Sequence, residues 1–487
     1  ASQECPCQVY TEFDVESLNI EFFQQAVRLV VKRHPMLHAA IVKGTQQMIF
    51  SEINRQKPVH FEVIQAADLD IRRQECLSLF KTQPDLYWDI QLTRLNTNTV
   101  RIHLLLDMLF IDATSAWSLA REVTEHYRSL LLQGIPVTMS NSRLEFRDYC
   151  NQLGIRQASD ASIKYWKERC KWIPGPPLIP RLKQTGMQEV SFKRASFSLK
   201  PGQWHALKNR ARDFQVTPNA LLLSLFSESL RLYAESPNFS IAVTMSERPV
   251  SCNNDYSDVV GEFTNILLCS ATARQGSNIS DRAIAIHHEL TEGLEHSDVS
   301  GLEVVRMLRK YQSDPHLIFP VVFTSFLGIV RSDLELAGCN TKLNFQQTQT
   351  PQITLDHQVY ELNGELQVNW DYDSNIYTKD LISDMLRCFQ HLLEDVAINN
   401  FHAAMLPPEV MLLRTSMNQT SYAFDLTQPS LLHELVLQAA QKNPDAIAVI
   451  DQEITLTYSE IIAIAKGIAI NLQDCGVSSE SCVAIVM

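Results

Sequence analysis

The segment Leu104-Leu-Leu-Asp107-Met-Leu-Phe-Ile-Asp112-Ala-Thr-Ser115 sets two carboxylates five residues apart at a change of element. An alternating run (Val100, Ile102, Leu104, Leu106) reads as a strand ending at Asp107. From Asp112 a helical pattern opens, with Trp117, Leu119, Ala120, Val123 and Tyr127 on its apolar side. Asp112 is a good N-cap, and the helix end favours its ionised form, which asks for a cationic partner. On spacing alone the plainer reading is a capping aspartate and a loop aspartate. A second set lies far downstream, in Pro320-Val-Val-Phe-Thr324-Ser325 and Gln349-Thr-Pro-Gln352-Ile-Thr354-Leu-Asp356-His-Gln358. Alternation puts Val322, Thr324 and Phe326 on one strand face, and Gln352, Thr354, Asp356 and Gln358 on one face of another. The two faces allow a shared surface, but on the residues alone the second reads rather as the solvated side of an antiparallel strand. His287-His288, ahead of Glu289-Leu-Thr-Glu292, lies inside the helical pattern Ala283 to Leu294 and reads as a solvated helix face.

The elements that must position these groups alternate along the chain. Glu16 to Arg33 reads as a helix with an apolar stripe of Leu18, Phe22, Phe23, Ala26, Val27, Val30 and Val31, ended by His34-Pro35. Past Trp172 the pattern breaks into Ile-Pro-Gly-Pro-Pro-Leu-Ile-Pro, a semi-rigid connector over residues 174–190. Thr217-Pro218 then opens a helix over Asn219 to Tyr233. Short strands are expected at Ile241–Met245, Thr264–Cys269, Val321–Phe326, Gln352–Tyr360 and Leu366–Trp370. A second connector around Pro407-Pro408 gives a linker over 401–429, with helices at Leu432 to Ala440 and Tyr458 to Leu472 beyond it. Between those two helices, Ala446–Ile450 and Thr455–Leu456 read as short strands. The chain stops inside the apolar run Val483 to Met487, which reads as a truncation. Mixed strands and helices on both sides of the first connector imply two α/β lobes, 1–173 and 191–400.

Composition narrows the classes. The 487 residues are 45% hydrophobic and 20% charged, with a formal net charge of −13 and no long basic run. That argues against nucleic acid or an anionic membrane as partner. No apolar stretch approaches the roughly 18 residues of a membrane span, and residues 1–7 lack the regions of a signal peptide. A cytoplasmic location is the expectation. The 11 cysteines are odd in number and scattered; only Cys5 and Cys7 are close, without a zinc-site partner, so no metal is expected.

The Asp107–Ser115 segment resembles the Asp-x4-Asp-x2-Ser signature of the heterocyclization domains of non-ribosomal peptide synthetases. Ordinary condensation domains carry His-His-x3-Asp-Gly there; this chain has Met108 at the second histidine and Ala113 at the glycine. Methionine cannot accept a proton as imidazole does. Further stretches match in order: Arg33-His-Pro-Met-Leu-His-Ala-Ala-Ile41, the Pro174 to Pro180 connector, Val216-Thr-Pro, Gly261-Glu-Phe-Thr264, and the Thr324 and Asp356 blocks. Glu262 stands where aspartate is more usual. Leu456-Thr-Tyr-Ser-Glu-Ile461, after Asn443-Pro-Asp-Ala, resembles the opening motif of an adenylation domain.

The resemblance implies two chloramphenicol-acetyltransferase-like lobes in a V around a tunnel, then a truncated start of an adenylate-forming domain over 430–487. It implies that Asp356 and Thr324 serve cyclodehydration, and that Arg248 pairs with Asp112 across the lobe junction, making Asp112 structural. Asp107 and Ser115 are motif residues, and Gln352, Gln358 and Ser325 are tunnel candidates. The implied activity joins a carrier-bound acyl or peptidyl thioester to carrier-bound Cys, Ser or Thr, then closes a thiazoline or oxazoline. Its partners are upstream and downstream peptidyl carrier domains and the rest of the adenylation domain. No cofactor is expected to bind directly; substrates ride on phosphopantetheine arms, and ATP with magnesium serves only the adenylation remainder. Two other readings stay open: an acyltransferase giving only linear amide or ester, and a non-catalytic docking platform. The family's first motif and opening helix are missing ahead of the strand near Gln8 to Phe13, which leaves the first lobe short of packing.

Overall fold

Asn19 and Asp112 decide where two long helices of the first lobe begin. In the computed structural model, Glu16 ends a strand, Ser17 takes a positive φ of 62°, and the Asn19 side chain accepts from Phe22 N. The helix therefore runs Ile20–Arg33 rather than from Glu16, because the strand uses the residues before Ser17. Its end at His34, ahead of Pro35, is as the sequence implied. Asp112 caps the helix Ala113–Gln133 by accepting from Ser115 N at 2.7 Å. The structure describes residues 7–42, 48–50, 63–65, 68–83, 86–139, 144–155, 158–182, 190–249, 255–272, 278–329, 336–399, 431–451 and 454–484.

The chain divides into residues 1–411 and 412–487. The first unit holds two main sheets. The strands of the first are β1 (Gln8–Glu16), β4 (Val63–Gln65), β5 (Trp88–Arg94), β6 (Thr99–Asp107) and β11 (Asn340–Gln349), in the order β11-β1-β6-β5-β4. A separate short pair joins β2 (Ala39–Ile41) to β3 (Met48–Phe50). The second sheet has β7 (Phe192–Leu199), β8 (Phe239–Ser246), β9 (Thr264–Ala271), β10 (Val321–Ser325), β12 (Leu355–Leu362) and β13 (Glu365–Asp373), ordered β7-β13-β12-β10-β8-β9. Each sheet has its own packed helices and apolar core. The two α/β lobes expected from the sequence are therefore present. One boundary differs: residues 340–349, expected within the second lobe, form an edge strand of the first sheet. Antiparallel pairing with β1 from Gln8↔Gln349 to Glu16↔Asn340 satisfies an edge that would otherwise be open.

The expected connector is half visible. Residues 174–182 form neither helix nor strand, yet Ser240 N donates to Gly175 O at 2.8 Å and Leu182 N to Ile376 O at 2.8 Å. These bonds and buried Ile179 tie it to the second lobe. Residues 183–189 and the expected 401–429 linker lie outside the described residues. In the 412–487 unit, the helices Leu432–Lys442 and Tyr458–Asp474 flank a hairpin of β14 (Ile447–Ile450) and β15 (Thr455–Thr457). Among the described residues, no helix is long and apolar enough to cross a membrane.

Candidate active site

The strand-to-helix turn between Asp107 and Asp112 brings the first motif against a loop of the second lobe. Arg248 Nη2 donates to Asp112 Oδ1 at 3.0 Å and to Oδ2 at 3.1 Å, and to Ser115 Oγ at 3.0 Å. Phe263 N donates to Asp112 Oδ2 at 3.3 Å, Ser115 Oγ donates to Gly261 O at 3.0 Å, and Gly261 N donates to Ser115 Oγ at 3.1 Å. Arg248 Nη1 donates to the carbonyls of Tyr256 and Val259, and the guanidinium lies 4.0 Å from the centre of the Phe263 ring. Asp112 and Arg248 are both buried at the side chain. With every carboxylate and hydroxyl lone pair in reach engaged, this cluster is a junction between lobes rather than a site with an open valence. Gly261 is required by close approach: a Cβ there would meet the Phe146 ring at 2.1 Å. Beside it, Glu262 is pushed up to about 7, first by burial and also by the Asp112 carboxylate.

Asp107 ends β6 opposite Gln8 and is buried. Its side chain accepts from Leu109 N at 2.9 Å, and burial raises its pKa to about 6. Met108 donates its N–H to Cys7 O, and nothing else at position 108 can carry a proton.

The second set assembles on the buried face of the second sheet. β10 and β12 run parallel with Val322↔Asp356 and Thr324↔Gln358, so Thr324 and Asp356 lie diagonally on one face. Thr324 Oγ1 donates to Asp356 Oδ1 at 2.9 Å, and Gln358 Nε2 donates to Asp356 Oδ2 at 2.6 Å. Burial pushes Asp356 up to about 6, outweighing the two hydrogen bonds that favour its ionised form. A carboxyl that titrates near neutrality, bonded to a hydroxyl, is suited to general acid–base work. The solvated alternative for this face is excluded, since Thr324, Asp356 and Gln358 are all buried. Two tunnel candidates do not join it. Gln352 sits exposed in a turn with φ 66°, because β12 begins only at Leu355 and the alternation does not extend back to 352. Ser325, one residue past Thr324, points the other way and donates to Asn219 Oδ1 at 2.7 Å.

Two residues were missed in the sequence. Asp371 faces Asp356 across the antiparallel β12–β13 ladder, and Arg194 faces Asp371 across β13–β7. Arg194 Nε donates to Asp371 Oδ1 at 2.7 Å, and Nη2 to Asp371 Oδ2 at 2.6 Å. The available signal was Asp371 two residues after Asn369, continuing the parity of the polar side of a strand that was expected to end at Trp370. His287 and His288 lie on the helix Ile279–Glu295, where His288 is exposed and His287 half-buried.

Phenyloxazoline synthase MbtB of Mycolicibacterium paratuberculosis is 27% identical over 497 residues, covering 98% of this chain and 41% of that protein. Pyochelin synthetase PchF of Pseudomonas aeruginosa is 26% identical over 408 residues, covering 80% of this chain and 22% of that protein. The chain thus spans less than half the length of these relatives. Among solved structures, the cyclization-docking bidomain of the EpoB non-ribosomal peptide synthetase from Sorangium cellulosum superposes with a TM-score of 0.70 at 27% identity, over 80% of each chain. Residues 2–404 match the model of the condensation domain, and with four-fifths of its length so matched the chain belongs to the condensation domain family.

Proposed function

We propose that residues 1–411 form a heterocyclization domain, which joins a carrier-bound acyl or peptidyl thioester to carrier-bound Cys, Ser or Thr and then closes the ring. The observation that carries this reading is the buried Thr324–Asp356 hydrogen bond, in a chain whose second-histidine position is Met108. The amine attacks the acyl thioester, forming the amide and releasing the carrier thiol. Holding both thioesters together removes much of the entropic barrier to that step. The side-chain thiol or hydroxyl then attacks the amide carbon. Asp356 takes its proton and passes it to the carbonyl oxygen, giving a ring carbon that bears a hydroxyl. In the dehydration the amide N–H proton returns through Asp356 to that hydroxyl, water leaves, and C=N forms. Thr324 holds the carboxyl in place and relays the proton. The similarity to MbtB, a phenyloxazoline synthase, and to the cyclization-docking bidomain of EpoB supports this assignment.

Carrier domains with phosphopantetheine arms are the corresponding partners, and residues 430–487 read as the opening of an adenylation domain. The test supplies donor acyl-carrier and cysteinyl-carrier proteins and weighs the product by intact mass spectrometry. A product one water lighter than the linear amide is the expected result. The linear mass alone reduces the activity to condensation, and no product from active carriers turns the reading to a docking platform.

A further inference from the structure

Asp356 and Asp371 stand opposite each other on neighbouring antiparallel strands, so two carboxylates share one buried face. Like charges so placed cannot be treated equally by their surroundings without strong repulsion. The structure treats them unequally. Asp371 receives a two-pronged guanidinium from Arg194 and the backbone N–H of Thr348 at 2.8 Å. Among the described residues, Asp356 receives the neutral Thr324 hydroxyl and Gln358 amide. Gln358 links the two: its Oε1 accepts from Arg194 Nη2 at 3.0 Å, while Nε2 donates to Asp356 Oδ2 at 2.6 Å and to Asp371 Oδ2 at 3.3 Å. The cation on the oxygen and the carboxylates on the nitrogen fix the amide in one orientation.

We propose that Asp371, held by Arg194, is a positioning residue that aims and tunes Asp356 for ring closure through Gln358. The inference rests on the ring-closing reading above. Arg194 and the Thr348 N–H engage the Asp371 carboxyl, which leaves Asp356 as the one placed to carry the proton. The grip also reaches the first sheet. β11 supplies the Thr348 N–H to Asp371, and Gln346 Oε1 accepts from Arg194 Nη1 at 3.1 Å. Gln347 Nε2 donates to Phe192 O at 3.1 Å, fastening β11 to the strand that carries Arg194. Asp356 therefore has its settled geometry only while β11 lies against the second sheet.

Among the described residues, the charged groups facing Asp356 are Asp371 from β13 and Arg194 from β7, and Arg194 in turn faces Tyr360 of β12. The hydrogen bonds that β10 and β11 make to this cluster, among the described residues, come from neutral groups: the Thr324 hydroxyl, the Gln346 amide and the Thr348 N–H. Arg194→Gln removes the cation and leaves the two carboxylates facing each other. Asp371→Asn removes the anion and frees the cation. The two changes must move the proton equilibrium of Asp356 in opposite directions.

The experiment uses the full chain with carrier-bound substrates and measures the ratio of ring to linear amide from pH 5 to 9. A pH limb does not depend on what fraction of a variant is folded. In the wild type, ring formation falls as acid protonates Asp356. In Arg194→Gln that limb moves up by about one pH unit or more, and in Asp371→Asn it moves down, with linear amide accumulating in both. Arg194→Lys keeps the charge but loses the fork, so its limb lies nearer the wild type than that of Arg194→Gln. Limbs that stay put, or move the same way in the Gln and Asn variants, overturn the inference and leave the ring-closing reading intact. A wild type that never forms a ring overturns both.

Discussion

Asp356 is a residue that works against the stability of its own fold. Buried beside Thr324 and facing Asp371, it keeps a proton up to about pH 6, above its ordinary value of 3.8. Between those two values the folded chain holds a proton that the unfolded chain has released. Stability contributed by this group therefore falls as pH rises from about 4 to 6 and stays lowered above that. Asp356→Asn keeps the size and removes the charge, so the variant should melt higher than wild type at pH 7.5. The gain is on the order of 1–3 kcal/mol and fades as the pH drops toward 4. The same variant should lose ring closure by about 10²- to 10⁴-fold, as expected when a positioned acid–base group is removed. Scanning calorimetry at the two pH values, with product mass at pH 7.5, checks both halves. A variant that melts lower at neutral pH would mean Asp356 is retained for structure. Alternation placed Thr324 and Asp356 each on a strand face, but only the family resemblance of their stretches singled them out. Arg194 and Asp371 were not legible, since a charged residue on an alternating strand reads as the solvent side until the sheet order buries it.

At the scale of elements, the turn between β6 and the helix Ala113–Gln133 has one task, which is to hold the two lobes together. Asp112 serves at once as helix cap, as acceptor for Phe263 N and as counter-ion of Arg248. The cap was legible from Asp112 and the apolar period after it; the three-way use of Ser115 was not, because it depends on a loop 146 residues away. Removing one member of a buried pair leaves the other uncompensated, which typically costs about 3–5 kcal/mol. Asp112→Ala and Arg248→Ala should each melt well below wild type, and the double variant should cost clearly less than their sum. Denaturant melts of the four chains give the coupling directly. Additive losses would show the pair to be incidental. The outcome bears on function, because an inactive Asp112 variant would then report a broken junction and not a lost proton carrier.

Across the whole molecule, the residues that bear on chemistry all lie in the 1–411 unit: Asp112 and Arg248 at the junction, Thr324, Asp356, Gln358, Asp371 and Arg194 on the second sheet. Beside that junction, β11 also ties the unit together, crossing from the second half of the chain to pair with β1 and gripping Asp371 on the way. Its sheet was not legible in the sequence, because alternation identifies a strand but not its neighbour. The 412–487 unit is built differently. Its helix Tyr458–Asp474 has no buried residue, and Ile450, Ile464, Ile468 and Ile470 are exposed. Among its described residues this unit has so little core that it should not add a cooperative transition of its own. A chain shortened to residues 1–411 should therefore keep the main melting transition of the parent. Its ratio of ring to linear product, with carriers supplied separately, should stay within about twofold of the parent, as for changes remote from a site. Calorimetry and product mass on the two chains decide it. A main transition lowered by many degrees, or a ring yield down by more than about tenfold, would mean that residues 412–487 support the site after all. Equal behaviour would fix the catalytic unit at the boundary that the contacts within the chain already draw.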